Sequence, residues 1–391
     1  MTMQTKLGLS QQQNNQNEDQ VQIGIATTND EKEAIYKFRY QVYIEEMGKP
    51  LESADHSNGK IYDPVDDWSI LIYAQINSII IGTSRLTIAK AVDFPVLLQK
   101  IFSMDKFESL YPQARLSLAT KLAIKAEYRG SQVLYSISSK AYEVWRKHNV
   151  QYTFGGCNPY LIPLYEQLGF QRFAANFTDP GYGMLTPLVL IIEGVDHFRA
   201  VRSPFYRIAR RWANDPIPSI KFLDAFPSVQ SFINTQLITK EALWDTVTLI
   251  LGNSPLRGIH LLNGLTREES SILLHLGAIF PCAPGDQIYG HGEKGSEIYI
   301  LLSGVLRAER SAHTRTMRPG DFFGSGAPSI PCLVSETVTA VSDANILVIS
   351  WQALERFSQK HPSAAAQVIK TMADLLNITA SSDTVSLEEL S

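Results

Sequence analysis

YRGSQVLYSISSKAYEVW, residues 128–145, passes from a strand through Arg129-Gly130-Ser131 directly into an amphipathic helix that ends near His148. Such a junction aims backbone N–H groups and the positive end of the helix dipole at the turn, which makes it an anion site. Upstream, LSLATKLAI (residues 116–124) reads as the strand that feeds the turn. Downstream, QYTFGGC is a short strand and YLIPLYEQLGF a short helix closed by Gly169, whose missing Cβ suits a left-handed cap. Nearer the start, VQIGIATT reads as a strand, and Ile35, Phe38, Val42 and Tyr43 recur at helical spacing. An acidic loop over residues 61–67 follows. SILIYAQ and SIIIGTSRLTIA then form two β-rich runs around Ile76-Asn77-Ser78, the pattern of a hairpin. The order β-α-β-β-β-α-β-α-β predicts an α+β fold, a mixed twisted sheet with helices on its faces, not a doubly wound dinucleotide fold.

Farther along, the character of the chain changes twice. Residues 196–256 read as a helical connector carrying Arg199, Arg202, Arg207, Arg210 and Arg211. These arginines read first as the solvated face of helices docked by Phe198, Phe205, Ile208 and Trp212, and phosphate binding is the lesser reading. Residues 257–378 carry short strands set off by glycine turns, the pattern of a β-sandwich or barrel, closed by a single helical segment. The glutamine- and asparagine-rich residues 1–20 and the tail 379–391 read as disordered, which leaves residues 21–195 as the first folded domain.

A chain of 391 residues with 45% hydrophobic and 19% charged residues is long enough for two cores. Its formal net charge of -4 gives no general attraction to nucleic acid or anionic lipid. Cys157, Cys282 and Cys332 are odd in number and lack metal-ligand spacing, so no metal site is expected and a reducing, cytoplasmic setting fits. Cys157 reads as a buried structural thiol. The apolar run at 185–192 is far shorter than the roughly 20 residues a membrane span needs, and no signal peptide is evident.

Together, the 128–145 segment and Tyr165-Glu166-Gln167-Leu168-Gly169-Phe170 resemble the acyl-donor motif and closing element of the GNAT superfamily of acyltransferases. The resemblance implies donor contacts at Ile124, Arg129, Gly130, Ser131, Gln132 and Val133. Gln132 and Leu134 stand where the family places small residues, so the donor is either acyl-coenzyme A or an acyl-phosphopantetheine arm on an acyl carrier protein. No tightly bound cofactor is implied. Within the superfamily, FRYQVYIEEMG, IYDPVDDW and GTSRL are similar to the first half of acyl-homoserine lactone synthases and long-chain N-acyl amino acid synthases.

On that resemblance Arg39, Asp63, Asp66 and Arg85 organise the acceptor amine and a mobile lid, with Tyr43, Trp68 and Asn158 as further substrate contacts. Clustered carboxylates can take the proton of an attacking amine, and arginines can hold an acceptor carboxylate bidentately. Either aspartate taken alone, beside Pro64, reads more simply as a turn residue. Arg85 is the strongest single candidate. Leu118 and Lys121 replace the glutamate and arginine of the lactone synthases, which argues against lactone formation while keeping a cation. Tyr165 is either the acid that protonates the departing thiolate or a packed ring with its hydroxyl on a carbonyl.

In the C-terminal half, PGDQIYGHGEKGSEIYILLSGVLRAE, MRPGDFFG and ETVTAVSDANILVIS resemble the cyclic-nucleotide-binding domain, with Gly285, Gly295, Gly304, Gly320 and Gly324 expected at its turns. The resemblance implies a jelly-roll barrel. Ser325 and Val334 stand at the positions of the ribose-binding glutamate and the phosphate-binding arginine, which reads against a cyclic nucleotide as ligand. The barrel is then expected to gate the transferase, dock a carrier protein or pair two chains as a homodimer. The functional expectation is an N-acyltransferase acting on an amino acid or small amine. A protein-lysine acetyltransferase and a catalytically inactive scaffold are the alternatives.

Overall fold

The structure, a computed structural model, describes residues 21–110, 115–212, 226–295, 297–311, 313–324 and 332–374. The expected disorder of residues 1–20 and 379–391 lies outside the described residues. By compactness the chain divides into two units: Met1–Gly156, Gln167–Ala174 and Pro187–Val229 form one, and Cys157–Glu166, Ala175–Thr186 and Gln230–Ser391 form the other.

The expected mixed sheet is present. Its strands are β1 (Gln22–Ile25), β2 (Ile70–Ile76), β3 (Ile79–Ala89), β4 (Arg115–Ile124), β5 (Val150–Cys157), β6 (Gln171–Arg172), β7 (Phe177–Asp179) and β8 (Gly183–Ile191). They lie in the order β1-β2-β3-β4-β5-β8-β6, and β7 pairs with the start of β8. The β2-β3 hairpin turns on Asn77 and Ser78, both with positive φ (49° and 65°), the twist that a two-residue hairpin requires. Strands β4 and β5 are the parallel pair, with a ladder running from Arg115 opposite Val150 to Leu118 opposite Phe154. Beyond that ladder β4 bulges. Its pairing with β3 skips between Thr83 and Arg85, and Lys121 in the bulge has φ 53°.

Helix α1 (Asn29–Tyr40) starts at a reciprocal cap in which the Thr28 side chain accepts from the Glu31 amide and Glu31 accepts from the Thr28 amide. It runs on into a wider π turn, Gln41–Glu46, which carries Tyr43. Helix α2 (Val133–Lys147) buries Val133, Ile137, Ala141, Tyr142, Val144 and Trp145 along one face. Trp145 Nε1 donates to Ser117 Oγ at 3.0 Å and the Tyr142 hydroxyl to the Ile192 carbonyl at 2.6 Å, which satisfies the polar ends of two buried rings. Two short helices, Val96–Ile101 and Met104–Leu110, were not expected from the sequence. The second delivers Phe107 into a buried aromatic cluster, 4.8 Å from Phe154 and 4.7 Å from Phe226 between ring centroids. In the connector, Phe198 and Phe205 are buried, Phe205 stacks on Tyr142, and the five arginines are exposed, as a docked helix face requires.

The expected jelly roll appears as a sandwich of two four-stranded sheets that do not close into one barrel among the described residues. One sheet joins Ala278–Cys282, Ala344–Ser350, Glu297–Ser303 and Phe322–Gly324; the other joins Gln287–Tyr289, Thr337–Ala340, Leu306–Arg310 and His313–Met317. Gly320 (φ 98°) has no room for a side chain, since a Cβ there would sit 1.9 Å from the Gly258 carbonyl oxygen. Gly295 departs from expectation: it lies in a short strand paired with Cys332, not in a left-handed turn. The closing helical segment also differs. Helix Trp351–Lys360 stops at His361, just before Pro362, and a second helical stretch covers residues 362–374. Its Ala364, Ala365, Val368 and Met372 join the core formed by Leu243, Val247, Leu273 and Leu347.

Candidate active site

Asp63 begins the site by beginning a turn. Its carboxylate accepts from the Val65 amide at 3.1 Å, while the Asp66 carboxylate reaches back to the Asp63 amide at 3.1 Å, so the two aspartates cap the short helix Pro64–Trp68 reciprocally. The turn reading of this stretch is therefore correct in geometry. The same carboxylates also bind arginines. Asp66 Oδ1 accepts from Arg39 Nη1 on α1 at 2.9 Å and from Arg85 Nη1 on β3 at 3.4 Å, and Asp63 Oδ1 accepts from Arg85 Nη1 at 2.6 Å. Arg85 Nε donates to Thr120 Oγ1 on β4 at 2.9 Å. Three separated segments are thus tied to one strand of the sheet.

Burial sets what each group can do. Arg39 and Asp66 are fully buried, and Arg39 lies 5.6 Å over the Tyr36 ring. Arg39, expected at the acceptor, has no exposed surface in this structure, and its hydrogen-bond partner is Asp66. Tyr43 is also buried, and its hydroxyl donates to the Leu122 carbonyl at 2.9 Å, so it braces the bulge of β4. For Asp63, burial alone would raise the pKa, but the charge and hydrogen bond of Arg85, with Lys121 beyond, hold it below the usual carboxylate value. Lys121 shows the opposite balance. Burial first, then the charges of Arg85 and Arg39, outweigh Asp63 and Asp66 and bring its ammonium down to about 8. Its Nζ lies 6.0 Å from the centre of the Tyr43 ring.

Around the glycine turn, Gly130 has φ 82° and open space where a side chain would stand. Ser131 Oγ donates to the Tyr128 carbonyl at 2.7 Å and accepts from the Val133 amide at 3.2 Å. Gln132 caps α2 without a side-chain bond, and the Val133 side chain is core. Arg129, expected beside the anion, is committed elsewhere: its Nε donates to the Ile124 carbonyl at 3.1 Å and its guanidinium pairs with Glu46. What this turn can offer an anion is the backbone amides that open α2.

Trp68 is exposed at the end of its turn and packs on Phe94, with ring centres 6.4 Å apart. Asn158 and Tyr165 belong to the second compact unit. The Asn158 amide donates to the carbonyls of Tyr182 and Met184 at 2.9 and 3.0 Å, so it pins the entry to β8 instead of presenting its donors to a substrate. Cys157 is buried, as expected. Thr120 and Glu46 were missed by sequence reasoning; Thr120 carried one signal, its place one residue before Lys121. No group of metal-ligating residues occurs among the described residues.

The fold and this network invite comparison with known proteins. The family model for N-acyl amino acid synthase FeeM matches residues 34–191, which takes in Arg39, Asp63, Asp66, Arg85 and Lys121. The chain carries an acyltransferase domain. A second model, the cyclic nucleotide-binding domain, matches residues 280–361. Among solved structures, FeeM, an N-acyl amino acid synthase from uncultured soil microbes, aligns at 12% identity and TM-score 0.38 over 48% of this chain and 97% of that one. The catabolite activator protein of Thermus thermophilus aligns at 24% identity and TM-score 0.30 over 34% of this chain, which spans 62% of the Thermus protein. A cyclic nucleotide-binding domain from Methylobacillus flagellatus KT aligns at 16% identity and TM-score 0.33, over 38% of this chain and 85% of that one. Comparison with curated proteins finds no match.

Outside the acyltransferase domain, Val334 of the sandwich is buried and its amide donates to the Glu293 carbonyl at 2.8 Å. Ser325 lies outside the described residues. Glu297 is a buried acid of the same sandwich, and burial followed by the Glu297 charge pushes the Tyr299 hydroxyl well above its ordinary pKa. No helix among the described residues is long and apolar enough to cross a membrane.

Proposed function

We propose that the protein transfers an acyl group from a thioester, on coenzyme A or on an acyl carrier protein, to the amine of an amino acid or small metabolite. The observation that carries this reading is the coincidence of the 34–191 family match with the buried Arg39–Asp66–Arg85–Asp63 network. Direct attack of an amine on a thioester forms no covalent enzyme intermediate, so catalysis rests on positioning and proton removal. In this reading the network fixes the 63–68 turn against β3 and β4 and presents the outer edge of Arg85 to the acceptor carboxylate. The backbone amides of the Gly130 turn receive the donor's phosphate.

The C-terminal sandwich gates the transfer or docks a partner. A cyclic nucleotide does not fit the residues described there: an aliphatic Val334 stands where the family carries its phosphate-binding arginine, and Glu297 adds a buried acid. The test is mass spectrometry after mixing the full chain with octanoyl and palmitoyl thioesters, on coenzyme A and on a carrier protein, plus a pool of amino acids. An N-acyl amino acid that vanishes with Arg85→Ala, in a variant that retains its circular dichroism, is the expected result. No product from either carrier by folded wild-type protein would overturn the reading.

A further inference from the structure

Lys121 is the least comfortable residue of the site. It holds a left-handed φ of 53° in the middle of a strand, a conformation that costs a long side chain energy and persists only where the surroundings enforce it. The bulge enforces it. The extra residue re-aims the Lys121 side chain toward the charges of the network, and Tyr43 braces the next carbonyl from below. Groups from four other segments face the Lys121 ammonium: Arg39 of α1, the Tyr43 ring of the π turn, Asp63 and Asp66 of the capped turn, and Arg85 of β3.

These neighbours are not equal candidates for taking a proton. Asp66 is fully buried and shared between two guanidiniums and an amide, and Asp63 is shared between Arg85 and the Val65 amide. Against burial, the charge and hydrogen bond of Arg85 hold Asp63 in its ionised form, which makes it a weak base, and Asp66 has no exposed surface to meet an incoming ammonium. Neither arginine can give up its proton. Lys121 is only half-buried, lies beside both carboxylates, and is the one remaining nitrogen of this cluster able to exist neutral.

We propose that Lys121, and not Asp63 or Asp66, is the general base that deprotonates the acceptor's ammonium group; this rests on the N-acyltransfer reading above. The neutral ε-amine takes one proton from the acceptor R–NH3+. The freed nitrogen forms the C–N bond to the thioester carbonyl carbon, the C–S bond breaks, and the second proton lost from that nitrogen ends on the departing thiolate. Lys121 then releases its proton to water. Burial first, and then the two arginines, keep the amine form of Lys121 accessible near neutrality, and the two aspartates keep the incoming ammonium from being repelled.

The proposal is tested with the full chain, the thioester donors named above, and two kinds of acceptor. Amino acids arrive protonated at neutral pH, whereas hydroxylamine arrives already unprotonated and needs no base. Lys121→Arg keeps the cation but cannot act as base, and Lys121→Gly suits the left-handed backbone, so at least one variant is folded. Both should lose roughly 100-fold or more in turnover with amino acids at pH 7 while changing little with hydroxylamine. Full activity in Lys121→Arg, or equal losses with the two acceptors, would overturn the base role in favour of charge or packing. Wild-type product formation in the same assay separates that failure from a failure of the N-acyltransfer reading, which would show as no product at all.

Discussion

Asp66 shows how a single residue can be at once a turn former and the centre of an ion network. Its side chain accepts from the Asp63 amide and from two guanidiniums with no exposure to water, so Asp66→Ala leaves Arg39 buried without its carboxylate. Removing one partner of a buried pair costs about 3–5 kcal/mol. The unfolding free energy of Asp66→Ala from urea titration should fall by that much, and a loss under about 1 kcal/mol would mean the pair is solvated. Lys121 makes the opposite prediction. Its ammonium has a folded pKa of about 8 against 10.5 when free, so between those values the unfolded chain binds more protons and stability rises with pH. Below pH 8 the buried charge is a full burden on the fold. Lys121→Met should therefore be more stable than wild type at pH 7, by roughly 1–3 kcal/mol, with the gain shrinking as pH climbs toward the free lysine value. Thermal melts across pH 6–10 read this directly. The identities of Arg39, Asp63, Asp66, Arg85 and Lys121 as candidates are legible in the sequence by their order and spacing. Who pairs with whom is not, because the sharing of Arg85 between two aspartates depends on which segments the folded chain brings together.

Among the elements, the hairpin β2-β3 was the most legible, since two β-rich apolar runs on either side of Asn77-Ser78 leave few other ways to turn. The turn is also imperfect. Ser78 adopts φ 65°, where glycine is the residue that fits without strain, so Ser78→Gly should raise stability by about 0.5 kcal/mol and lift the melting temperature slightly. A decrease would show that the Ser78 side chain contributes something its backbone does not reveal. The helices Val96–Ile101 and Met104–Leu110 were invisible for a physical reason. Each has at most two turns, too short for a 3.6-residue period to establish itself, and Phe107 is inside because of aromatic rings supplied from residues 154, 173 and 226. Phe107→Ala should cost about 3–5 kcal/mol by denaturant unfolding, since the whole ring is buried and its neighbours are rigid. The break at His361 was legible in Pro362, but an apolar pattern continuing on both sides masked it.

At the scale of the whole chain, composition and turn spacing were enough to separate a mixed-sheet half from a β-sandwich half. Compactness adds what no linear reading expresses, because residues 157–166 and 175–186 group with the C-terminal residues and not with their chain neighbours. Within that second unit, the Asn176 side chain donates to the Pro281 carbonyl at 2.8 Å and accepts from Thr186 at 2.9 Å. The sandwich is thus fastened by a polar bond to the 175–186 segment. A regulatory ligand for such a sandwich would have an obvious chemical candidate in a cyclic nucleotide, and the residues present argue against it. A phosphate entering beside Val334 would find an aliphatic side chain and the acids Glu293 and Glu297 in the same unit. Ligand binding to the folded state at 100 times its dissociation constant would add about 2.7 kcal/mol of stability, a shift of several degrees in a melt. Cyclic AMP and cyclic GMP at about 1 mM should accordingly leave the melting temperature of the full chain unchanged, whereas any micromolar binder would move it. A clear upward shift with either nucleotide would require a cation at the phosphate from another part of the chain, and would return the sandwich to the role of a nucleotide sensor.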